Sequence, residues 1–299
     1  MTHNKKIILI LFLTLFSQNV FASNFSNQLD LSLSFGSRED NLDWNVASDI
    51  TGSQTPNILS ELSWSDLKTD EISLQGKYYF SGRNLNDWIV DFGLKGGVIN
   101  SGKNQDSDYS GNNRTLEFSR SNNNSSDGSV IDFNIALGKK IASPMLSNKF
   151  IKTNFLPIFG YALKKQNLRI TDGFQTIPAD GEFDNLHSTY NAAWHSFFVG
   201  SYLDHKIYQN NLISFLAKFH YGKYSSDANW NLRSDFAHPI SFSQEVSSIT
   251  GYELQAQYQL HITNNIAFNT TYSYQKFSGK DGIDTIFFSN GTSSNTKLN

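Results

Sequence analysis

The residues best suited to acid–base chemistry are two aspartates in the run Gln105-Asp106-Ser107-Asp108-Tyr109. In an extended chain side chains alternate, so these two carboxyls point to one face. Carboxyls held that close share a proton, and the raised pKa of one of them supplies acid chemistry. The same triplet at a strand-to-loop transition is also ordinary solvated turn chemistry. A second constellation is Asp235 and His238 in Arg233-Ser234-Asp235-Phe236-Ala237-His238-Pro239. There a carboxylate could orient an imidazole, although a histidine before proline in a polar loop is more often a turn residue.

Other chemistries find no residues. The absence of cysteine removes disulfides, thiolate metal sites and cysteine nucleophiles. His187, His195, His205, His220 and His261 fall at no metal-ligand spacing, and no carboxylate cluster resembles a calcium loop. Gly93 to Gly102 lies in a strand pattern, so it is not a phosphate loop, and there is no Gly-x-Ser-x-Gly elbow. A net charge of -3 over 299 residues gives no basic field, so nucleic acid is not an expected partner.

The elements that must position the acids follow from periodicity. Residues 1–22 read as a signal peptide: Lys5-Lys6, the apolar run Ile7 to Phe16, then the small-residue pattern Val20-Phe21-Ala22. Beyond it no apolar run is long enough for a transmembrane helix. Hydrophobicity instead alternates with period two. Leu29, Leu31, Leu33 and Phe35 oppose Asp30, Ser32 and Ser34; Ile213, Phe215, Ala217, Phe219 and Tyr221 oppose Ser214, Lys218 and His220; and Tyr252 to Ile262 repeats the pattern. Strands of this kind could belong to a soluble sandwich. Their length, the aromatics near their ends and connections that alternate short and long favour a transmembrane barrel instead. Short links are expected at 81–87, 142–149, 207–211 and 263–265, and long polar loops at 39–55, 103–128, 171–186, 231–243 and 279–299.

Candidate strands fall at about 28–38, 57–80, 88–103, 129–141, 150–170, 188–206, 212–230, 245–262 and 265–278. That count is odd. An odd set leaves edges unpaired in lipid, and 279–299 reads as a polar loop, so a tenth strand is expected beyond Asn299, with a reading frame longer by roughly 20 residues. The expectation is thus an all-β, antiparallel up-and-down transmembrane β-barrel of about ten strands over residues 23–299, in the outer membrane of a Gram-negative bacterium.

At this point the order of elements resembles the omptins, outer-membrane barrels with an aspartate-dependent endopeptidase site in the extracellular mouth. Ile58-Leu59-Ser60-Glu61-Leu62-Ser63-Trp64 is similar to the Ser-x-Leu-x-Trp start of the family's second strand. Gln105 to Tyr109 is similar to its Asp-x-Asp-aromatic motif. Ser119-Arg120 and Ile131 to Ile135 resemble the loop exit and fourth strand, and Tyr224 to Asn231 falls where the second acidic motif stands. The resemblance implies that Asp106 and Asp108 are the family's first catalytic pair. It places Asn229 and Asn231 at the Asp-His pair that activates water, Asp227 in an acidic pocket, and Ser121 where a loop histidine stands. An amide cannot take the proton of a general base, a loss of typically about 10²- to 10⁴-fold. Asp235 and His238 are then the one relocated pair available.

Three readings follow: a surface-exposed interaction or structural barrel without efficient proteolysis, a divergent omptin-type endopeptidase, and a small porin. The last is weakened because about ten strands leave an interior filled by side chains. No cofactor or metal is expected. The resemblance implies lipopolysaccharide as a partner beside outer-membrane lipid, with extracellular protein or peptide as a further partner of a monomer.

Overall fold

In the computed structural model the described residues are 27–81, 85, 87–142, 151–207, 210–263 and 265–299. The expected signal peptide lies outside them, as do parts of all four short links. Within them the period-two pattern becomes one antiparallel sheet of fourteen strands. These are β1 (Gln28–Val46), β2 (Ser60–Tyr79), β3 (Trp88–Gly111), β4 (Thr115–Asn124), β5 (Gly128–Lys139), β6 (Ile141–Ala142), β7 (Ile151–Ile177), β8 (Gly181–Phe183), β9 (Ser188–Ile207), β10 (Asn211–Asn229), β11 (Phe242–His261), β12 (Ala267–Gly279), β13 (Gly282–Phe287) and β14 (Ser293–Leu298). Each long strand pairs with its neighbours in sequence. At the mouth the ring closes where β13 pairs β11, β14 pairs β13, and Leu298 of β14 meets Val46 of β1; below it, among the described residues, β12 pairs with β11 alone and the rest of β1 with β2 alone.

Three expectations about loops are corrected. Residues 39–46 continue β1, since Asp43, Trp44 and Asn45 stay paired to Ser63, Leu62 and Glu61. Residues 103–128 are largely a hairpin, β3 running on to Gly111 and returning as β4. Polar composition hid this because the hairpin stands clear of lipid, where its outer face needs no apolar residues. Residues 279–299, expected as a loop, contain β13 and β14 joined by a turn through Asn290-Gly291. Gly291 has φ +86 there, a conformation that suits glycine. Two of the expected long loops keep a turn or loop at their centre, the segments between β7 and β9 and between β10 and β11.

The faces sort by solvent. Phe35, Ile72, Leu94, Val98, Phe133, Leu137, Phe159, Phe197, Val199, Phe215, Phe219, Leu254 and Leu260 point outward and are exposed, forming the apolar band that lipid requires. The inner face of the same strands carries buried charge. Arg38 meets Asp40 at 2.8 Å and Asp132 at 2.8 Å, Lys164 meets Asp132 at 3.5 Å, and Lys95 and Arg38 flank Glu71 at 3.8 and 3.9 Å. Lys218 meets Glu253 at 3.2 Å, beside His220, which is wedged between Phe198 and Phe277.

Apolar clusters cap this charged layer at both ends. Toward β6 and the start of β7 lie Ile89, Ala136, Leu156, Ile158, Phe198 and Leu216. Toward the hairpin β13–β14 lie Trp44, Leu62, Trp64, Leu168, Tyr190, Phe242 and Ile249. The switch of inner-face residue type within one strand needs a change of phase. β2 supplies it with an irregularity between Ser65 and Lys68, where Asp66 has φ +54, so that Glu71, Thr69 and Leu67 face inward below it and Trp64 and Leu62 above it.

A charge removed from this layer strands its partners in a low dielectric. Arg38→Met is expected to destabilise the barrel by about 3–5 kcal/mol. Arg114→Ala, which breaks a half-exposed pair with Glu61, should cost less than about 1 kcal/mol. Urea unfolding in detergent micelles separates the two outcomes, and equal losses would show that the interior pairing is not what holds the layer.

Candidate active site at the mouth

The mouth is built on the upper apolar cluster. Trp64 and Tyr190 are 1% and 0% exposed, and their rings lie 4.8 Å apart. Trp44 stacks on Tyr190 at 6.0 Å and meets Phe242 edge-on at 5.7 Å. The Tyr190 hydroxyl donates to Gln244 at 2.6 Å and also contacts the Tyr224 hydroxyl, while Ser226 donates to Gln244 at 3.1 Å. These residues form a floor across the barrel.

Asp106 and Asp108 stand on the inner face of β3 above this floor. Asp106 is paired across to Leu62 on one side and Ser121 on the other, and Asp108 to Ser60 and Ser119. The expected shared face is therefore present. It depends on a second phase change, because Ile99 faces inward below Ser101 and Asn104 above it. The Asp106 Oδ1 atom is buried without a hydrogen-bond partner. Burial, then repulsion from Asp108, pushes the Asp106 carboxyl up to about 7, against the pull of Arg233 and the Ser60 hydroxyl. Asp108 is also raised by burial, opposed by Ser60, Arg233 and Ser119. An acid tuned as Asp106 is holds a proton near neutrality.

The rest of the expected site is arranged differently. On β10 the buried inner-face residues are Tyr224, Ser226 and Ala228, with Trp230 packed against the same cluster. Asp227 and Asn229 therefore lie on the opposite face, a consequence of the strict period of two. Asp227 accepts from the Asn191 amide at 2.9 Å, and Asn229 Oδ1 lies 2.7 Å from His238 Nδ1. Asn231 caps the start of β9, accepting from His187 N at 2.8 Å and donating to Asn185 O at 2.7 Å. The residues of this segment that reach the inner cluster are thus Ala228 and Trp230, while Asn229 lies on the other face and Asn231 is held by residues 185–188. Ser121 faces inward and accepts from the Asn123 amide at 3.0 Å.

The relocated pair is not assembled either. Asp235 is taken by Arg233 through two hydrogen bonds of 3.1 and 3.0 Å, and exposed His238 is taken by Asn229. Arg233 is the residue that the sequence reading missed. Its guanidinium stacks over Phe236 at 4.4 Å and acts electrostatically on both Asp106 and Asp108. Its spacing to Asp235 is visible in the sequence, but its reach to Asp106 and Asp108 is not. Among the described residues no group of three or more His, Asp or Glu side chains has metal-site geometry.

Residues 32–299 match the family described as Pom, Protochlamydia outer membrane protein. The chain belongs to this family. It is an outer-membrane protein, consistent with the lipid-facing apolar band. Among solved structures, the outer membrane protease OmpT from Escherichia coli is similar, with a TM-score of 0.69 at 14% identity over 92% of each chain. At that identity the likeness is one of fold, and the expected omptin-like architecture is present in this Pom-family barrel. No curated protein sequence matches the chain.

Arg233 pulls the acid pair down, so Arg233→Ala should move the Asp106 carboxyl further above about 7. Infrared titration of the protonated carboxyl band, with Asp106→Asn identifying the signal, measures the move. An unchanged or lowered titration would place Arg233 outside the electrostatic reach of the pair.

Proposed function

We propose that this Pom-family barrel serves a surface-exposed interaction or structural role and carries out no efficient proteolysis. The observation that carries the reading is the composition of the inner face opposite the acids, where Ala228 and Trp230 supply no group able to take a proton. Asp106 and Asp108 alone can donate or hold a proton. A water held beside them would have only these carboxylates as proton acceptors, with no imidazole to share the work of activating it. Arg233 adds a fixed positive charge beside the pair, which favours their ionised forms and works against an acid role.

Porin action is disfavoured by the interior. Among the described residues the charged layer between Arg38 and Glu253 has an apolar cluster on either side, which interrupts the polar interior. The partners of the proposed role are outer-membrane lipid, lipopolysaccharide and an extracellular protein or peptide met at the rim. Exposed apolar side chains at the rim, Leu116 at 72% and Phe118 at 52%, suit contact with protein more than with water.

Protein refolded with lipopolysaccharide should cleave peptides with paired basic residues at no more than background rate. Asn229→Asp with Asn231→His should leave it there, because Asn229 is on the outer face with His238 and Asn231 is held at the start of β9. Ala228→Asp with Trp230→His would place an acid-base pair on the facing side, and a rate that rises only in this variant would locate the missing base. Robust cleavage by the unmodified protein that disappears with His238→Ala would overturn the proposal in favour of an active endopeptidase.

A further inference from the structure

The hairpin β13–β14 completes the ring at the mouth, and its inner face carries a buried acid that the readings above do not use. Asp284 is 3% exposed and lies in register between Gln244 of β11 and Thr296 of β14. Its Oδ1 and the Thr296 Oγ1 are both buried without a hydrogen-bond partner. The titratable groups whose charges reach it are Tyr190 of β9 and Tyr224 of β10, both neutral phenols at ordinary pH. The nearby ion pair Lys297–Asp281, at 2.8 Å, belongs to the outer side, since Lys297 is paired with exposed Ile283.

The hairpin also holds the loop that bears Arg233. Ala237 N donates to Phe287 O at 2.8 Å, Phe287 N to Ser241 O at 2.9 Å and Ser289 N to Asp235 O at 2.9 Å, with Phe236 against Phe288. On its other side the hairpin joins β1 through bonds of 2.8 and 3.1 Å between Asn45 and Asn299. Movement of β13 would thus move the loop and its arginine.

We propose that the β13–β14 hairpin is a pH-responsive closure of the mouth, docked against β11 when Asp284 is protonated and loosened when it ionises. An ionised carboxylate at this position would be buried with no cation against it, which is unfavourable. A hydrated carboxyl keeps its ordinary value of 3.8, whereas burial in the docked hairpin pushes it up to about 6, opposed only by the Gln244 amide. The sign follows: docking is strongest below about pH 4, weakens as pH rises to about 6, and changes no further above that. The move from 3.8 to about 6 corresponds to about 100-fold in the ratio of docked to loosened hairpin.

The test is amide hydrogen exchange of the full chain in detergent micelles at pH 4.5 and 7.5, corrected for intrinsic exchange, with β2 as internal reference. Protection over residues 282–298 should fall by about 10- to 100-fold at the higher pH, while β2 stays unchanged. Asp284→Asn, neutral at both values, should show equal protection, and Asp106→Asn should retain the wild-type dependence. Equal hairpin protection in the wild-type protein at the two pH values would overturn the proposal whether or not Asp284→Asn folds. So would a dependence that survives Asp284→Asn or vanishes with Asp106→Asn.

Discussion

A charged side chain buried on the inner face of a strongly curved sheet has little access to water, and in this barrel that constraint governs the interior. Lys95, Lys164 and Lys218 are opposed by Glu71, Asp132 and Glu253 on neighbouring strands, while Arg38 meets Asp40 on its own strand and reaches Asp132 of β5 across the interior. Each pair between neighbouring strands fixes their register, because a slip of one residue would turn a charge outward into lipid and leave its partner unmatched. The outer apolar band and the inner charged layer are therefore two faces of the same alternation. A change in register fails both at once.

The upper barrel reverses the inner face from charged to aromatic, and it does so by breaking the alternation at chosen points. The irregularities between Ser65 and Lys68 and near Ser101 bring Trp64, Leu62, Asp106 and Asp108 onto one wall. Without those shifts the aspartates would project outside. The floor of Trp44, Trp64, Tyr190 and Phe242 then removes water from beneath the acids, which is why Asp106 is pushed so far up. Packing and acidity have a common cause.

These phase changes also mark where the sequence stops being legible. The long lipid-facing strands were readable, because lipid enforces apolar residues at every second position from Leu29 to Phe35 or from Ile213 to Tyr221. Above the membrane that pressure is absent. There β4 and the upper part of β3 look like loop, and the signal for β13–β14 is reduced to Asn290-Gly291 between short alternating runs. At the mouth the shared face of Asp106 and Asp108 was legible from spacing. The face of Asn229 was not, since an alignment by residue type is silent on whether a position is odd or even relative to the floor. Arg233 acts through space from a loop, and nothing in local spacing ties it to residues more than a hundred positions away.

The layered interior, apolar then ionic then apolar, has a mechanical consequence. The same layering separates the mouth mechanically from the lipid-embedded wall, so residues around the rim can diverge under selection from outside while the membrane-facing half stays under the older demand of fitting a bilayer.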